Sequence, residues 1–146
     1  MHVRLTKGAY WDGEIKFSQA GGHEGFPVLI NKSLTDLNYL FIASKLLGSD
    51  NLKPKFATHN AHSVASIYFM AEEKEYEFQR LFGMGELLYK SADKILGGIP
   101  SAGIYAPIGP YKDLLPYLVR RLLENCLLYP SPSPRDQRGS RMPSSA

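Results

Sequence analysis

The chain lacks the features that identify secreted, disulfide-rich or membrane-spanning proteins. Its 146 residues include one cysteine, Cys126, which excludes an intramolecular disulfide and leaves no cysteine-based metal site. No apolar run is long enough to span a bilayer, and the basic residues near the N-terminus precede no apolar segment with a cleavage site. A GxSxG turn is absent, as is a GxGxxG turn after the first expected strand. Secretion is therefore unsupported, the single cysteine fits a reducing compartment, and we expect no nucleophilic catalysis.

A strong charge of either sign is also absent from most of the chain. The formal net charge is +3, but residues 1–125 carry 14 Lys and Arg against 13 Asp and Glu. This near-neutral body gives little support to nucleic-acid binding. Residues 126–146 hold most of the excess and are rich in Pro, Ser and Arg. We expect them to form a disordered and non-native tail, since they resemble a translated sequencing adapter.

The remaining chain alternates strand patterns with helix patterns. Short β-like runs span residues 3–9, 55–59, 76–81 and 103–108. Apolar residues then recur at helical spacing over residues 37–47, 64–71, 87–96 and 114–125. Ser33 or Thr35 can cap the first of these helices, and Gly48 can end it. Four βα units predict an α/β fold with a parallel sheet. Because a (β/α)8 barrel needs about 250 residues, we expect a half-barrel of residues 1–125, with a small doubly wound sheet as the alternative.

Polar and aromatic residues stand at the carboxyl end of every expected strand, where barrel enzymes place their working residues. They are Lys7, Gly8, Ala9, Tyr10 and Trp11; Thr58, His59 and Asn60; Gln79 and Arg80 with Gly83 to Gly85; and Tyr105, Ala106 and Pro107. Their aromatic rings and cations, together with Arg4, suit a large planar, anionic cofactor. Trp11 and Tyr105 taken singly fit core packing equally well. His59 and His62 lack a carboxylate at ligand spacing, so we expect no metal site.

The last expected helix, LLPYLVRRLLEN, carries two adjacent arginines beside its apolar face. Arg121 falls on the edge of that face, and Arg120 lies one turn before Glu124. A pair between Arg120 and Glu124 would hold one guanidinium in place. The other could then bind a carboxylate in bidentate fashion. The alternative is the solvated polar edge of an amphipathic helix.

Five segments, in this order along the chain, resemble the motifs of the flavin-dependent proline dehydrogenase family. They are RLTKGAYWD (4–12), FATHNAH (56–62), YEFQRLFGMGE (76–86), IYAPIG (104–109) and LLPYLVRRLLEN (114–125). Trp11, the FATHNAH form and the GMGE turn are closer to the proline dehydrogenase domain of bacterial bifunctional proline utilization A than to the stand-alone eukaryotic enzymes.

The resemblance implies an FAD enzyme on a distorted (β/α)8 barrel, of which this chain holds strands five to eight and the final helix. The family transfers hydride from L-proline to flavin N5, which gives Δ1-pyrroline-5-carboxylate, and passes the electrons to a quinone. The implied FAD contacts are Arg4, Lys7, Gly8, Ala9, Trp11, Thr58, His59, Asn60 and Gln79. The implied proline site contains Tyr105, Arg120 and Arg121, with Tyr10 and Leu81 as lining residues and Glu124 orienting an arginine.

The resemblance also implies limits and partners. The family's first four strands supply a lysine and an aspartate to the pocket, so we expect this chain alone neither to fold stably nor to oxidise proline. The expected partners are the N-terminal half of the barrel, L-proline and a quinone. The location is then cytoplasmic in a bacterium, with peripheral contact at the inner membrane, or mitochondrial in a eukaryote. A non-redox lyase or aldolase half-barrel and a non-catalytic flavin-binding remnant remain alternatives.

Overall fold

The computed structural model describes residues 1–8 and 11–127, except the side chains of residues 12, 120 and 122–127. The elements in chain order are β1 (His2–Leu5), α1 (Trp11–Ala20), α2 (Lys32–Leu47), β2 (Lys53–Ala57), α3 (Ala61–Ala71), β3 (Glu77–Leu81), α4 (Glu86–Leu96), β4 (Ala102–Tyr105) and α5 (Tyr111–Leu127). The chain divides into two compact units, Met1–Gly109 and the segment from Pro110 on. The first unit contains all of the strands above.

The four strands form one parallel sheet in the order β1-β2-β3-β4. Each connection between neighbouring strands carries at least one helix, as parallel pairing requires. The predicted α/β fold with helical crossovers is therefore confirmed. Strand order follows chain order without the reversal that characterises a doubly wound sheet, which favours the barrel fragment over that alternative.

The core of the first unit lies between the sheet and helices α2, α3 and α4. Leu5, Phe56, Phe78 and Ala102 form a row across the sheet, one residue from each strand. Phe56 and Phe78 have no exposed surface, and the row packs against buried helix residues. Those helix residues are Tyr39, Ala43, Leu47, Val64, Ile67, Ala71 and Tyr89. Because side chains alternate along a strand, the residues next to this row face the opposite side of the sheet.

Several predicted boundaries are wrong. The run predicted as a strand over residues 3–9 ends at Leu5, and Trp11 begins α1, a helix that the sequence analysis did not predict. The cap of α2 is Asn31 and not Ser33 or Thr35, because the Asn31 side chain accepts a hydrogen bond from the Leu34 N–H at 3.2 Å. Its predicted end at Gly48 is confirmed.

The end of the last helix bears on the predicted tail. Helix α5 continues to Leu127, two residues beyond the predicted domain boundary at Asn125. The rest of that tail, residues 128–146, lies outside the described residues. Over the part of the chain that is described, no helix is both long and apolar enough to cross a membrane.

Candidate cofactor and substrate site

Lys7 is buried immediately after β1 and joins that strand to two helices. Its Nζ donates to Asp36 Oδ1 at 2.6 Å and to Ser63 Oγ at 3.3 Å, so it reaches both α2 and α3. The ammonium also lies 4.9 Å from the centre of the Tyr39 ring. A second cation, Lys32, pairs with Asp36 Oδ2 at 2.7 Å. Burial would raise the pKa of Asp36, but hydrogen bonds from Lys32 and Lys7 lower it below its ordinary value.

A cavity of about 480 Å³ lies beside Lys7, between the end of β1 and helices α1 and α2. Lys7, Gly8 and Trp11, three of the expected cofactor contacts, border it. Its size is within the usual range for a small-molecule site. The Trp11 Nε1–H donates to the Leu29 carbonyl at 3.1 Å, which fixes the indole at the rim. Ala9, another expected cofactor contact, and Tyr10, an expected lining residue of the proline site, lie outside the described residues.

The three residues after β2 are held by hydrogen bonds to nearby backbone groups and to side chains and backbone of other elements. Thr58 Oγ1 accepts from the Asn60 N–H at 3.2 Å, and the Thr58 carbonyl accepts from the Tyr89 hydroxyl at 2.8 Å. Asn60 caps α3, since its Oδ1 accepts from the Ser63 N–H at 2.9 Å. These bonds place Thr58, His59 and Asn60 together at the carboxyl end of the sheet.

His59 connects the ends of β2 and β3. Its Nε2 accepts from the Leu81 N–H at 2.9 Å, so the ring proton of this neutral tautomer lies on Nδ1. Gly85 makes room for the ring, because a Cβ there would lie 2.9 Å from His59 Cδ2. The backbone of Gly85 has φ of 71°, a second reason for glycine in the GMGE turn. Leu81 itself is fully buried.

Residues from the two outermost strands meet over the face opposite the helices. Arg4 Cζ of β1 lies 4.6 Å from the ring centre of Tyr105 of β4, a cation–π contact. Three strand spacings, about 14 Å, separate these strands, so two long side chains are needed to bridge them. Two residues predicted for the site, one for the cofactor and one for proline, are thus in direct contact.

Gln79, an expected cofactor contact, lies on the same face together with Lys55 and Glu77, which were not expected at the site. Lys55 Nζ is 2.7 Å from Glu77 Oε2, and Gln79 Nε2 donates to Glu77 Oε1 at 2.9 Å. The hydrogen bond from Lys55 is the main cause that lowers the pKa of Glu77 below its ordinary value, and the bond from Gln79 adds to it. The sequence signal was the alternation of polar with apolar residues in KPKFA and EFQRL.

In the second unit, Arg121 lies beside Tyr117, as the helical spacing predicts. The Arg121 Cζ is 5.3 Å from the centre of the Tyr117 ring. The side chains of Arg120 and Glu124 lie outside the described residues, so their pairing stays a prediction. Among the side chains that the structure describes, which exclude those of Asp12, Glu124 and Cys126, no group of three or more His, Cys, Asp or Glu is placed to hold a metal ion.

Comparison with known proteins decides the family. Residues 1–127 match the family model described as proline dehydrogenase. The chain belongs to the proline dehydrogenase family. The resemblance inferred from the five motifs is confirmed.

Individual relatives refine this assignment. The bifunctional protein PutA of Escherichia coli is 53% identical over 131 residues, which cover 84% of this chain and 10% of that protein. The mitochondrial proline dehydrogenase 1 of Caenorhabditis elegans is 30% identical over 134 residues, or 84% of this chain and 21% of that protein. A crystal structure of bifunctional proline utilization A is 54% identical with a TM-score of 0.75, and covers 86% of this chain and 13% of that one. The chain spans about a tenth of the length of the bacterial relatives, and its sequence is closer to them than to the mitochondrial enzyme.

Proposed function

We propose that this chain is part of an FAD-dependent enzyme that oxidises L-proline to Δ1-pyrroline-5-carboxylate and passes the electrons to a quinone. The observation that carries this proposal is the cavity at the end of β1, which Lys7, Gly8 and Trp11 border together. A ligand site at the carboxyl ends of parallel strands is the general arrangement in (β/α)8 barrels. Family membership supports the proposed chemistry, and the cavity supports the proposal that part of the cofactor binds at the end of β1.

The residues around the cavity fit a flat ring better than a phosphate. The Lys7 ammonium already has two acceptors, Asp36 and Ser63, and its charge is offset by the first of these. The Trp11 indole and apolar residues such as Leu5, Val28 and Ile42 line the same space. We therefore assign one planar ring of FAD to the cavity and assign Lys7 to holding the end of β1 against α2 and α3.

The remaining expected contacts divide between cofactor and substrate. FAD, when bound, supplies the hydride acceptor. Thr58, His59, Asn60 and Gln79 are assigned to binding and orienting it. Tyr105 and the arginines of α5 are assigned to proline, whose carboxylate matches the planar fork of a guanidinium. Four further residues have assigned roles. Arg4 is assigned to the cofactor, Tyr10 and Leu81 to the lining of the proline pocket, and Glu124 to orienting an arginine.

A chimera tests this proposal. In it, residues 1–127 of this chain replace the matching segment of the Escherichia coli PutA, and the unsubstituted Escherichia coli protein is the control. We expect a soluble yellow protein whose flavin absorbance bleaches when proline is added without oxygen. Flavin that is retained but not bleached would favour a non-catalytic flavin-binding protein. A soluble, colourless chimera would overturn the cofactor assignment.

We also propose that residues 1–127 do not complete the site by themselves. The chain covers about a tenth of the Escherichia coli relative, and side chains on the face opposite the helices, such as Lys55 and Glu77, keep 29% and 33% of their surface exposed. The purified chain alone is expected to give no proline-dependent reduction of a dye. Dye reduction by the soluble chain with bound flavin would refute this.

A further inference from the structure

One cluster on the face opposite the helices consists of Lys55, Glu77 and Gln79. Of these three residues, only Gln79 has been assigned a role, as an expected contact of the cofactor. We propose that Glu77 is a positioning residue that fixes the orientation of the Gln79 side-chain amide, that Lys55 holds Glu77 in place, and that Gly103 leaves the space that the Glu77 carboxylate occupies. This inference rests on the proposed function, because it requires that Gln79 contacts a bound flavin.

The hydrogen bond between Glu77 and Gln79 selects one of the two orientations of the amide. The two residues are separated by one position on β3, so their side chains lie on the same face. An ionised carboxylate only accepts hydrogen bonds, so the Gln79 NH2 group turns toward it at 2.9 Å. The Gln79 carbonyl oxygen then turns away from Glu77. This leaves an acceptor that suits a ring N–H of the flavin, and hydrogen bonds to ring nitrogens tune flavin electronics.

Lys55 keeps Glu77 in the form that this selection requires. The two residues are register partners on β2 and β3, and Lys55 Nζ lies 2.7 Å from Glu77 Oε2. Each carboxylate oxygen is therefore bound to a different side chain, Oε2 to Lys55 and Oε1 to Gln79. The pKa of Glu77 is lowered chiefly by the Lys55 hydrogen bond, so the carboxylate stays ionised at neutral pH. An ionised Glu77 cannot donate to the amide oxygen in the flipped orientation.

Gly103 on β4 leaves the space that the pair occupies. It is the register partner of Gln79, and a Cβ at this position would lie 2.5 Å from Glu77 Oε1 and 3.7 Å from Gln79 Cγ. Such a Cβ would force the carboxylate to shift, and this shift would alter its hydrogen bond to Gln79. Three neighbouring strands thus contribute to the orientation of the Gln79 amide. Strand β2 supplies the Lys55 cation, β3 supplies the Glu77 carboxylate, and β4 has a glycine where a side chain would collide with that carboxylate.

The test is Glu77→Gln in the chimera, with the reduction potential and visible spectrum of the bound flavin as the readouts. The substitution preserves shape, but an amide can both donate and accept, so the orientation of Gln79 is no longer fixed. We expect full flavin content, a shifted potential and spectrum, and a kcat lower by about tenfold, the lower end of the loss seen when a residue that orients a metal ligand is removed. Glu75→Gln is the matched control, because Glu75 forms an exposed pair with Lys53 at 2.8 Å. It is expected to change none of these readouts.

Two further variants separate positioning from a direct or structural effect. Gly103→Ala is expected to shift the potential in the same direction as Glu77→Gln, since the new Cβ displaces the carboxylate. In a Gln79→Ala background, Glu77→Gln is expected to add no further shift. An undiminished additional shift there would overturn the inference, and so would an unchanged potential and spectrum in both single variants with flavin retained. Failure of the proposed function is distinct, because it is read from the unsubstituted chimera before any variant is compared.

Discussion

The two faces of the sheet hold their side chains by different forces. On the helix side, Phe56 and Phe78 are register partners with no exposed surface, and α2, α3 and α4 enclose them. On the opposite side, Lys55 and Glu77 are also register partners, but they are about one-third exposed and are fixed by hydrogen bonds. Lys55 directly precedes Phe56 and Glu77 directly precedes Phe78, so neighbouring residues of each strand face opposite sides of the sheet.

Because of this difference, the helix side of the sheet mainly stabilises the fold, and the opposite side is suited to orienting a ligand. Apolar burial is roughly proportional to area and has no direction, so the helix side can stabilise the fold with any well-packed set of large side chains. Hydrogen bonds and ion pairs have defined geometry, so the opposite side can orient a ligand but adds little to stability when exposed. Substitutions on the two sides should therefore fail in different ways.

The largest expected effect is loss of folding stability from the helix side. Phe78→Ala should destabilise the chimera by about 3–5 kcal/mol, the range for truncating a fully buried aromatic residue. Urea denaturation followed by circular dichroism measures this. Phe82→Ala is the matched control, because Phe82 follows the same strand but is 71% exposed. A loss below about 1 kcal/mol for Phe78→Ala would contradict a core centred on this row.

The second expected effect is on substrate binding without loss of stability. Arg121→Lys in the chimera should raise the KM for proline by roughly 10- to 100-fold, since an ammonium loses one charged hydrogen bond of about 1.5–3 kcal/mol. Flavin content and the midpoint of urea denaturation should stay unchanged. Steady-state kinetics with a dye acceptor, together with the flavin absorbance, provide both readings. An unaltered KM would remove Arg121 from the carboxylate site.

The strands and the main helices were predictable from the sequence because they contain runs of apolar residues at strand or helix spacing. Helix α1 was missed because it carries few apolar residues, and one of these, Phe17, is 74% exposed. Its end is fixed instead by a local contact, the Ser18 hydroxyl donating to the Gly25 carbonyl at 2.6 Å. The cap of α2 was misplaced because Asn31, Ser33 and Thr35 all have capping side chains, and only the backbone geometry distinguishes them.

The candidate site was predictable as a list of residues but not as a set of contacts. Family motifs identified Arg4 and Tyr105, yet their cation–π contact joins positions about a hundred residues apart and depends on the sheet. The role of Glu77 was invisible for the same reason, since its partners come from three strands. Lys7 is the clearest case: its acceptors, Asp36 and Ser63, are 29 and 56 positions away.

The smallest expected effect tests the ion pair between Lys7, which follows β1, and Asp36 of α2. Asp36→Asn should destabilise the chimera by about 1–2 kcal/mol, because the buried Lys7 ammonium loses its anionic partner but keeps Ser63 Oγ and the amide oxygen as acceptors. Asp50→Asn is the matched control, because Asp50 pairs with Lys74 at the exposed surface and should give no measurable change.

The pH dependence of stability sharpens the same prediction. The pKa of Asp36 in the folded protein is below its ordinary value of 3.8, so its contribution is complete above that value and is lost as pH falls through the lower folded pKa. The difference in stability between the unsubstituted chimera and Asp36→Asn should therefore shrink as the pH is lowered from 6 toward 3. Urea denaturation at a series of pH values measures it. A difference that stays constant over this range would mean that Asp36 stabilises the end of β1 through packing and not through its charge. The contact between Lys7 and α2 would then stabilise the fold in the same way as the apolar core on the helix side of the sheet.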